Sequence, residues 1–210
     1  MAWQTIHTSA GQSSGLGAIY GHAVVKLGPS SVLVIGGKPA KRTDPDSNLP
    51  LWSVDLQSKR WTPITLRGPP IRWGHCAVLL HKGLLVFGGL NSTYNLGDAW
   101  LLNMHPSGDW SWRPLEFSGP TPGVRGYASL VSANFAGSLA VLFGGQLCRG
   151  GSYEYKNDVV LLDISKDAVK FPSISGEPPS PRAQHTAVVS RGFGSLHMLV
   201  AGGGNSHQMF

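Results

Sequence analysis

Three histidines, His22, His75 and His185, stand at one recurring place in this chain, each just before an apolar run. Three imidazoles brought to a common axis could hold a metal ion. No carboxylate cluster recurs beside them to complete a ligand set, so they read as repeat residues that bond to a neighbouring unit. Cys76 and Cys148 lie far apart without partners at metal-ligand spacing; they read as reduced core residues, not as a disulfide framework. Gly202-Gly203-Gly204-Asn205-Ser206 lacks the lysine of a phosphate loop, and no nucleophile, base and acid stand in a recognisable arrangement. Neither catalysis nor a cofactor nor a metal is expected. A second group points to recognition. Arg72, Arg125, Arg149 and Arg182 occur with Trp73, Tyr94, Tyr153 and Tyr155 in long, polar segments, and arginine with aromatic residues is the composition of interaction hot spots. These eight residues form the candidate partner-binding face, suited to a protein with an acidic segment. Reversing Arg72, Arg149 and Arg182 to glutamate is then expected to abolish capture without unfolding the chain. Arg72 and Arg182 also sit at equivalent offsets before an apolar run, which equally suits a link between units.

The elements that must position these residues are set by a recurring apolar run closed by two glycines. Its copies end at Gly36-Gly37, Gly88-Gly89, Gly144-Gly145 and Gly202-Gly203, with 52, 56 and 58 residues between successive first glycines. Short runs of Val, Leu and Phe ended by glycine read as buried strands, and recurrence near 50 residues is the signature of a repeat array. Upstream of each pair lies strand a, opening at Gly21-His22, Gly74-His75, Gly126-Tyr127 and Gln184-His185, with Tyr127 read in the histidine position. Strand b carries the glycines. Strand c follows a loop and closes on Asp55, Asn103 or Asp163. Strand d opens at Trp61, Trp112 or Val169 and leads into proline-rich links that begin at Gly68, Gly119 and Gly176.

Trp3-Gln4-Thr5-Ile6 repeats the strand d pattern. The chain therefore divides into a lone strand d (1–11), three complete units (12–67, 68–118 and 119–175) and the first half of a fourth (176–210), all in one domain. Four antiparallel strands at this spacing build radial blades. The double glycines, the spaced Trp61 and Trp112, and Pro181-Arg182-Ala183-Gln184-His185 resemble the kelch repeat. The resemblance implies an all-β, kelch-type β-propeller of about three and a half four-stranded blades, an incomplete ring. It also implies a non-enzymatic protein-interaction module acting as adaptor or scaffold, with a cytoskeletal scaffold as one alternative. The other is a propeller enzyme with part of its site in further blades. Propellers resembling kelch rings can carry an iron site of Glu-x3-Asp-x3-His. Here Glu154 and Asp158 meet the first two positions and Leu162 stands at the third.

In a meander, successive turns alternate between the two ends of the sheet, so the b–c loops and d–a links share one face. Loops on a rigid scaffold concentrate binding residues, and this face holds the candidates named above. The 210 residues carry a net charge of +6, which favours acidic partners weakly. The basic residues form no continuous stripe, so nucleic acid is not expected. No apolar run reaches membrane-helix length and no signal peptide is visible, so a cytoplasmic protein without membrane contact is expected. An open edge strand would offer a further pairing site.

Overall fold

A computed structural model describes residues 17–40, 44, 46–133, 137–192 and 195–209. The expected lone strand at Trp3 to Ile6 lies outside the described residues. Among the described residues every element is a strand, as expected for short β-branched and aromatic runs broken by glycine and proline.

The first blade opens with β1 (Ile19–Tyr20), β2 (Ala23–Lys26), β3 (Ser31–Ile35) and β4 (Lys38–Pro39), and closes with β5 (Leu51–Asp55) and β6 (Arg60–Ile64). Its sheet runs β2-β3-β5-β6, while β1 and β4 pair at one end. The second blade is β7 (Cys76–Leu80), β8 (Gly83–Leu90), β9 (Asn95–Met104) and β10 (Trp110–Leu115), antiparallel in chain order. The third contains β11 (Ser129–Ser132), β12 (Leu139–Phe143), β13 (Gln146–Arg149), β14 (Ser152–Tyr155), β15 (Val159–Asp163) and β16 (Ala168–Lys170). Its sheet runs β11-β12-β15-β16, and β13 pairs with β14 as a separate hairpin within the b–c loop. In the fourth, β17 (Thr186–Gly192) pairs with β18 (Ser195–Ala201). These meanders are the all-β, kelch-type architecture.

The core lies between blades. Leu33, Ile35 and Leu51 of the first blade pack with Leu84, Val86 and Leu102 of the second, while Leu85, Phe87 and Leu101 of the second pack with Leu142, Val160 and Leu162 of the third. Alternation along each strand thus sends residues to one seam and then the next. Each of these side chains contributes about 1.5–3 kcal/mol on burial.

The tryptophan of strand d is half-buried in β6 and β10, as Trp61 and Trp112. Gly68, in the preceding link, lies directly under the Trp112 indole, where a methyl group would strike the ring. The glycine pairs take positive φ throughout, 58° and 102° at Gly36 and Gly37 and 65° and 98° at Gly144 and Gly145. That left-handed turn steers the chain from strand b into the loop.

Candidate functional site

Arg72 and Arg125 are almost wholly inaccessible, at 0% and 1% exposure, and Arg182 is buried at 9%. Each makes the same two-way connection. The Arg72 carbonyl accepts the Gly37 N–H of the preceding blade at 2.9 Å. Its guanidinium meanwhile donates to the Gly88 carbonyl at 3.2 Å and to both Asp98 carboxylate oxygens at 2.7 and 2.9 Å in its own blade. The Arg125 carbonyl accepts from Gly89, and its guanidinium reaches the Gly144 carbonyl and Asp158 at 2.7 and 2.9 Å. The Arg182 carbonyl accepts from Gly145 and its guanidinium reaches the Gly202 carbonyl at 3.1 Å. The candidate face is therefore corrected. Arg72, Arg125 and Arg182 turn their guanidinium groups into the protein and link one blade to the next, so glutamate there is expected to destabilise the fold as well as remove a contact.

Two of the three histidines, His75 and His185, follow these clamps by three residues. His185 Nε2 lies 2.9 Å from the Ser129 hydroxyl of the preceding blade, and its ring meets Phe143 edge-on at 5.2 Å. His75 is buried with its ring against Gly36. His22 is exposed. The reading of Tyr127 as a histidine equivalent is one residue out of register. Gly74 N–H donates to the Gly21 carbonyl, Tyr127 N–H to Gly74, and Gln184 N–H to Tyr127, so these four form one row. All four take positive φ, 66°, 59°, 56° and 60°. Ala128 is the histidine equivalent, and it lies against Gly145 as His75 lies against Gly89. Tyr127 holds a strained left-handed conformation where blades one and two use glycine, and its ring covers Gly74.

Burial pushes the His75 pKa down to about 3, and the nearby Arg72 and His22 charges act in the same direction. The unfolded imidazole takes up a proton below 6.5, whereas the folded one does so only near 3. Between those values the unfolded state binds more protons, so stability falls as pH falls, by up to about 1.4 kcal/mol per pH unit from this group. His75→Phe should flatten the acid limb of urea midpoint against pH; an unchanged slope would rule out the buried neutral histidine.

The residues left on the b–c and d–a end form a compact aromatic and cationic surface. The residue after each glycine pair bridges to the residue two before the histidine position: Lys38 to Tyr20, Leu90 to Trp73, Gln146 to Gly126 and Gly204 to Ala183. This ladder places the Lys38 ammonium 4.9 Å from the Trp73 ring centre and 5.7 Å from that of Tyr20, both within cation–π range. Tyr127 has its pKa raised by burial first and then by Tyr20 and Tyr153.

The β13–β14 hairpin carries exposed Arg149 and Tyr153, with Tyr155 half-buried and 6.4 Å from Tyr153. Asn95 ties that hairpin to the second blade by hydrogen bonds to the Cys148 main chain at 2.6 and 3.3 Å. Tyr94 is 67% exposed at the tip of the β8–β9 turn. Of the candidates named from the sequence, Trp73, Tyr94, Arg149, Tyr153 and Tyr155 are exposed or half-buried. Tyr20 and Lys38 stand beside Trp73, at offsets from the histidine and glycine positions that match those of Trp73 and Leu90. Both cysteines are free thiols, and burial pushes Cys76 up to about 12.

A family model described as the KLHDC2/KLHL20/DRC7 Kelch-repeats domain matches residues 3–210. The chain is 33% identical over 177 residues to the dynein alpha chain of the flagellar outer arm from Chlamydomonas reinhardtii, covering 80% of this chain and 4% of the relative. It is 30% identical over 182 residues to tip elongation aberrant protein 1 from Schizosaccharomyces pombe, covering 80% of this chain and 15% of the relative. It is 28% identical over 188 residues to acyl-CoA-binding domain-containing protein 5 from Arabidopsis thaliana, covering 88% and 26%. The chain thus spans about a quarter or less of the length of these relatives. The matched segment contains the glycine pairs, the arginine clamps and the four-stranded meanders, and the chain belongs to the kelch-repeat family.

Proposed function

We propose that the b–c/d–a end is the contact surface of a non-enzymatic protein-interaction module, an adaptor or scaffold whose partner presents an acidic segment. Kelch-repeat domains generally bind proteins, and the observation that carries the finer reading is the Lys38 ammonium held over Trp73 and Tyr20. Three carboxylates of this end are already engaged: Asp98 and Asp158 with the buried arginines, Glu154 with Lys156 at 3.2 Å. Among the described residues, Lys38 and Arg149 form no ion pair, so the surface presents cations flanked by Tyr94 and Tyr153. A carboxylate arriving there gains charge-assisted bonds while the rings supply contact area. A cytoplasmic setting suits the two free thiols.

Panning a displayed random-peptide library against the 210-residue chain should enrich Asp- and Glu-rich sequences. Their affinity should fall with salt. Lys38→Glu with Arg149→Glu should weaken binding at least tenfold, about 1.4 kcal/mol, with thermal unfolding unchanged, while Lys170→Glu, remote on β16, should leave it intact. Neutral or basic motifs, or binding indifferent to the double reversal, would refute the acidic partner.

A further inference from the structure

The first strands of successive blades, β2, β7, β11 and β17, stand side by side. Two residues before each of them begins lies one member of the row Gly21, Gly74, Tyr127 and Gln184. Their N–H groups donate from blade to blade, Gly74 to Gly21 at 2.7 Å, Tyr127 to Gly74 at 2.6 Å and Gln184 to Tyr127 at 2.9 Å. The d–a links lead into these strands, so the row rims the inner edge of the b–c/d–a end. Trp73 directly precedes Gly74, and the Lys38 ammonium stands over its ring, so the row adjoins the cationic surface.

All four members take φ between 56° and 66°, a conformation that glycine adopts freely and a bulky L residue rarely does. Blades one and two have glycine there, and Tyr127 brings a phenol ring to the same place at the expense of strain. That ring lies face-on over Gly74: Cε1, Cζ and Cε2 are 2.9, 2.9 and 3.0 Å from where a methyl group on that glycine would stand. Any side chain at position 74 would strike it, so two positions of the row are committed to one ring. The ring is half-buried. Among the described residues its hydroxyl makes no hydrogen bond, and it is open to solvent. Burial raises its pKa, which keeps the phenol a donor at neutral pH. Strain held where glycine would serve, with an unused donor facing water, is the mark of a residue kept for contact.

We infer that Tyr127 is the anchor residue of the contact surface, its ring carrying one side chain of the partner's segment and its hydroxyl donating to a carbonyl or carboxylate oxygen of that segment. This role rests on the reading of the b–c/d–a end as the contact surface. A rigid aromatic side chain with one polar tip supplies contact area and direction together, and such anchors hold much of the energy of an interface. The row explains why the ring is rigid: the main chain of Tyr127 is bonded to the blade on either side, and its ring rests on Gly74.

The displayed random-peptide library, panned against the 210-residue chain, supplies the probe; the enriched phage are then tested on Tyr127→Ala and Tyr127→Gly. Glycine relieves the left-handed strain that alanine keeps, so the glycine variant should melt about 2–4 °C above the alanine variant. Both lack the ring, so both should lose capture by roughly tenfold or more. A merely structural tyrosine would make capture follow stability, and the glycine variant would then bind better than the alanine one. Capture by the glycine variant within about threefold of the parent chain, or equal melting of the two variants, would overturn the inference. Enriched peptides without acidic residues that still lose binding on Tyr127→Gly would keep Tyr127 as the anchor and remove the acidic partner. Acidic peptides indifferent to that change would do the reverse, and a library that enriches nothing would overturn both.

Discussion

Arg72→Ala should destabilise the chain by about 3 kcal/mol in urea unfolding, whereas Arg113→Ala should change it by less than about 0.5 kcal/mol. Both arginines sit within 4 Å of an aspartate, but in opposite settings. Arg72 is fully buried, donates bidentately to Asp98 and also donates to the Pro70 and Gly88 carbonyls. Arg113 lies 3.7 Å from Asp167 with both side chains more than 40% exposed. Truncating Arg72 removes the guanidinium donor from the Gly88 carbonyl and leaves the Asp98 carboxylate with the Trp100 indole N–H as its remaining side-chain donor. Because the Asp98 side chain is 40% exposed, water recovers part of the loss, which keeps the figure at the lower end for a broken buried pair. Equal effects of the two truncations would show that the clamp contributes nothing.

Asp98 supplies the matching acid signature. Burial pushes its pKa up, but the Arg72 hydrogen bonds and charge, with the Trp100 N–H, outweigh that and hold it below 3.8. A depressed carboxylate contributes stability that is present above the unfolded pKa and lost as pH falls through the folded one. The loss should therefore begin near pH 4 and be absent from Arg72→Ala.

The fold was legible because each unit repeats its punctuation. Paired glycines, strand-opening tryptophans and proline links recur at matched offsets, and each offset has one physical meaning. The roles of the arginines were not legible from the same rows. The bonded carboxylates lie 26 residues from Arg72 and 33 from Arg125, because the intervening loops differ in length, so no fixed spacing announces the pair. The register of Tyr127 was recoverable: three residues separate Arg72 from His75 and Arg182 from His185, and the same count from Arg125 lands on Ala128. Glycine at 126 drew the alignment one place early. The β13–β14 hairpin also carried a signal, Gly150-Gly151 between two four-residue runs, both glycines at positive φ. Lys38 gave no such sign, since its value as a contact depends on two rings brought beside it by the bridge to Tyr20.

Gly36→Ala should cost about 3–4 kcal/mol, and Gly150→Ala only about 1 kcal/mol, although the two glycines share nearly the same φ, 58° and 57°. The left-handed conformation alone penalises an alanine by roughly 1–2 kcal/mol. At Gly150 nothing lies within 4 Å of the added methyl group, so the backbone term stands alone. At Gly36 the methyl would lie 2.7 Å from both the Arg72 carbonyl oxygen and Leu49 Cδ1, and 2.8 Å from the His75 ring. Overpacking of this kind adds roughly 1–3 kcal/mol. The Arg72 carbonyl cannot retreat freely, because it accepts the Gly37 N–H that joins the first blade to the second. The methyl must therefore either strain the histidine and leucine or open the seam. Urea midpoints of the two variants isolate the contact term, since the conformational penalty is common to both. Indistinguishable midpoints would mean that the glycine pair serves only to turn the chain. A large gap would mean that it also keeps the space through which one blade's arginine grips the last.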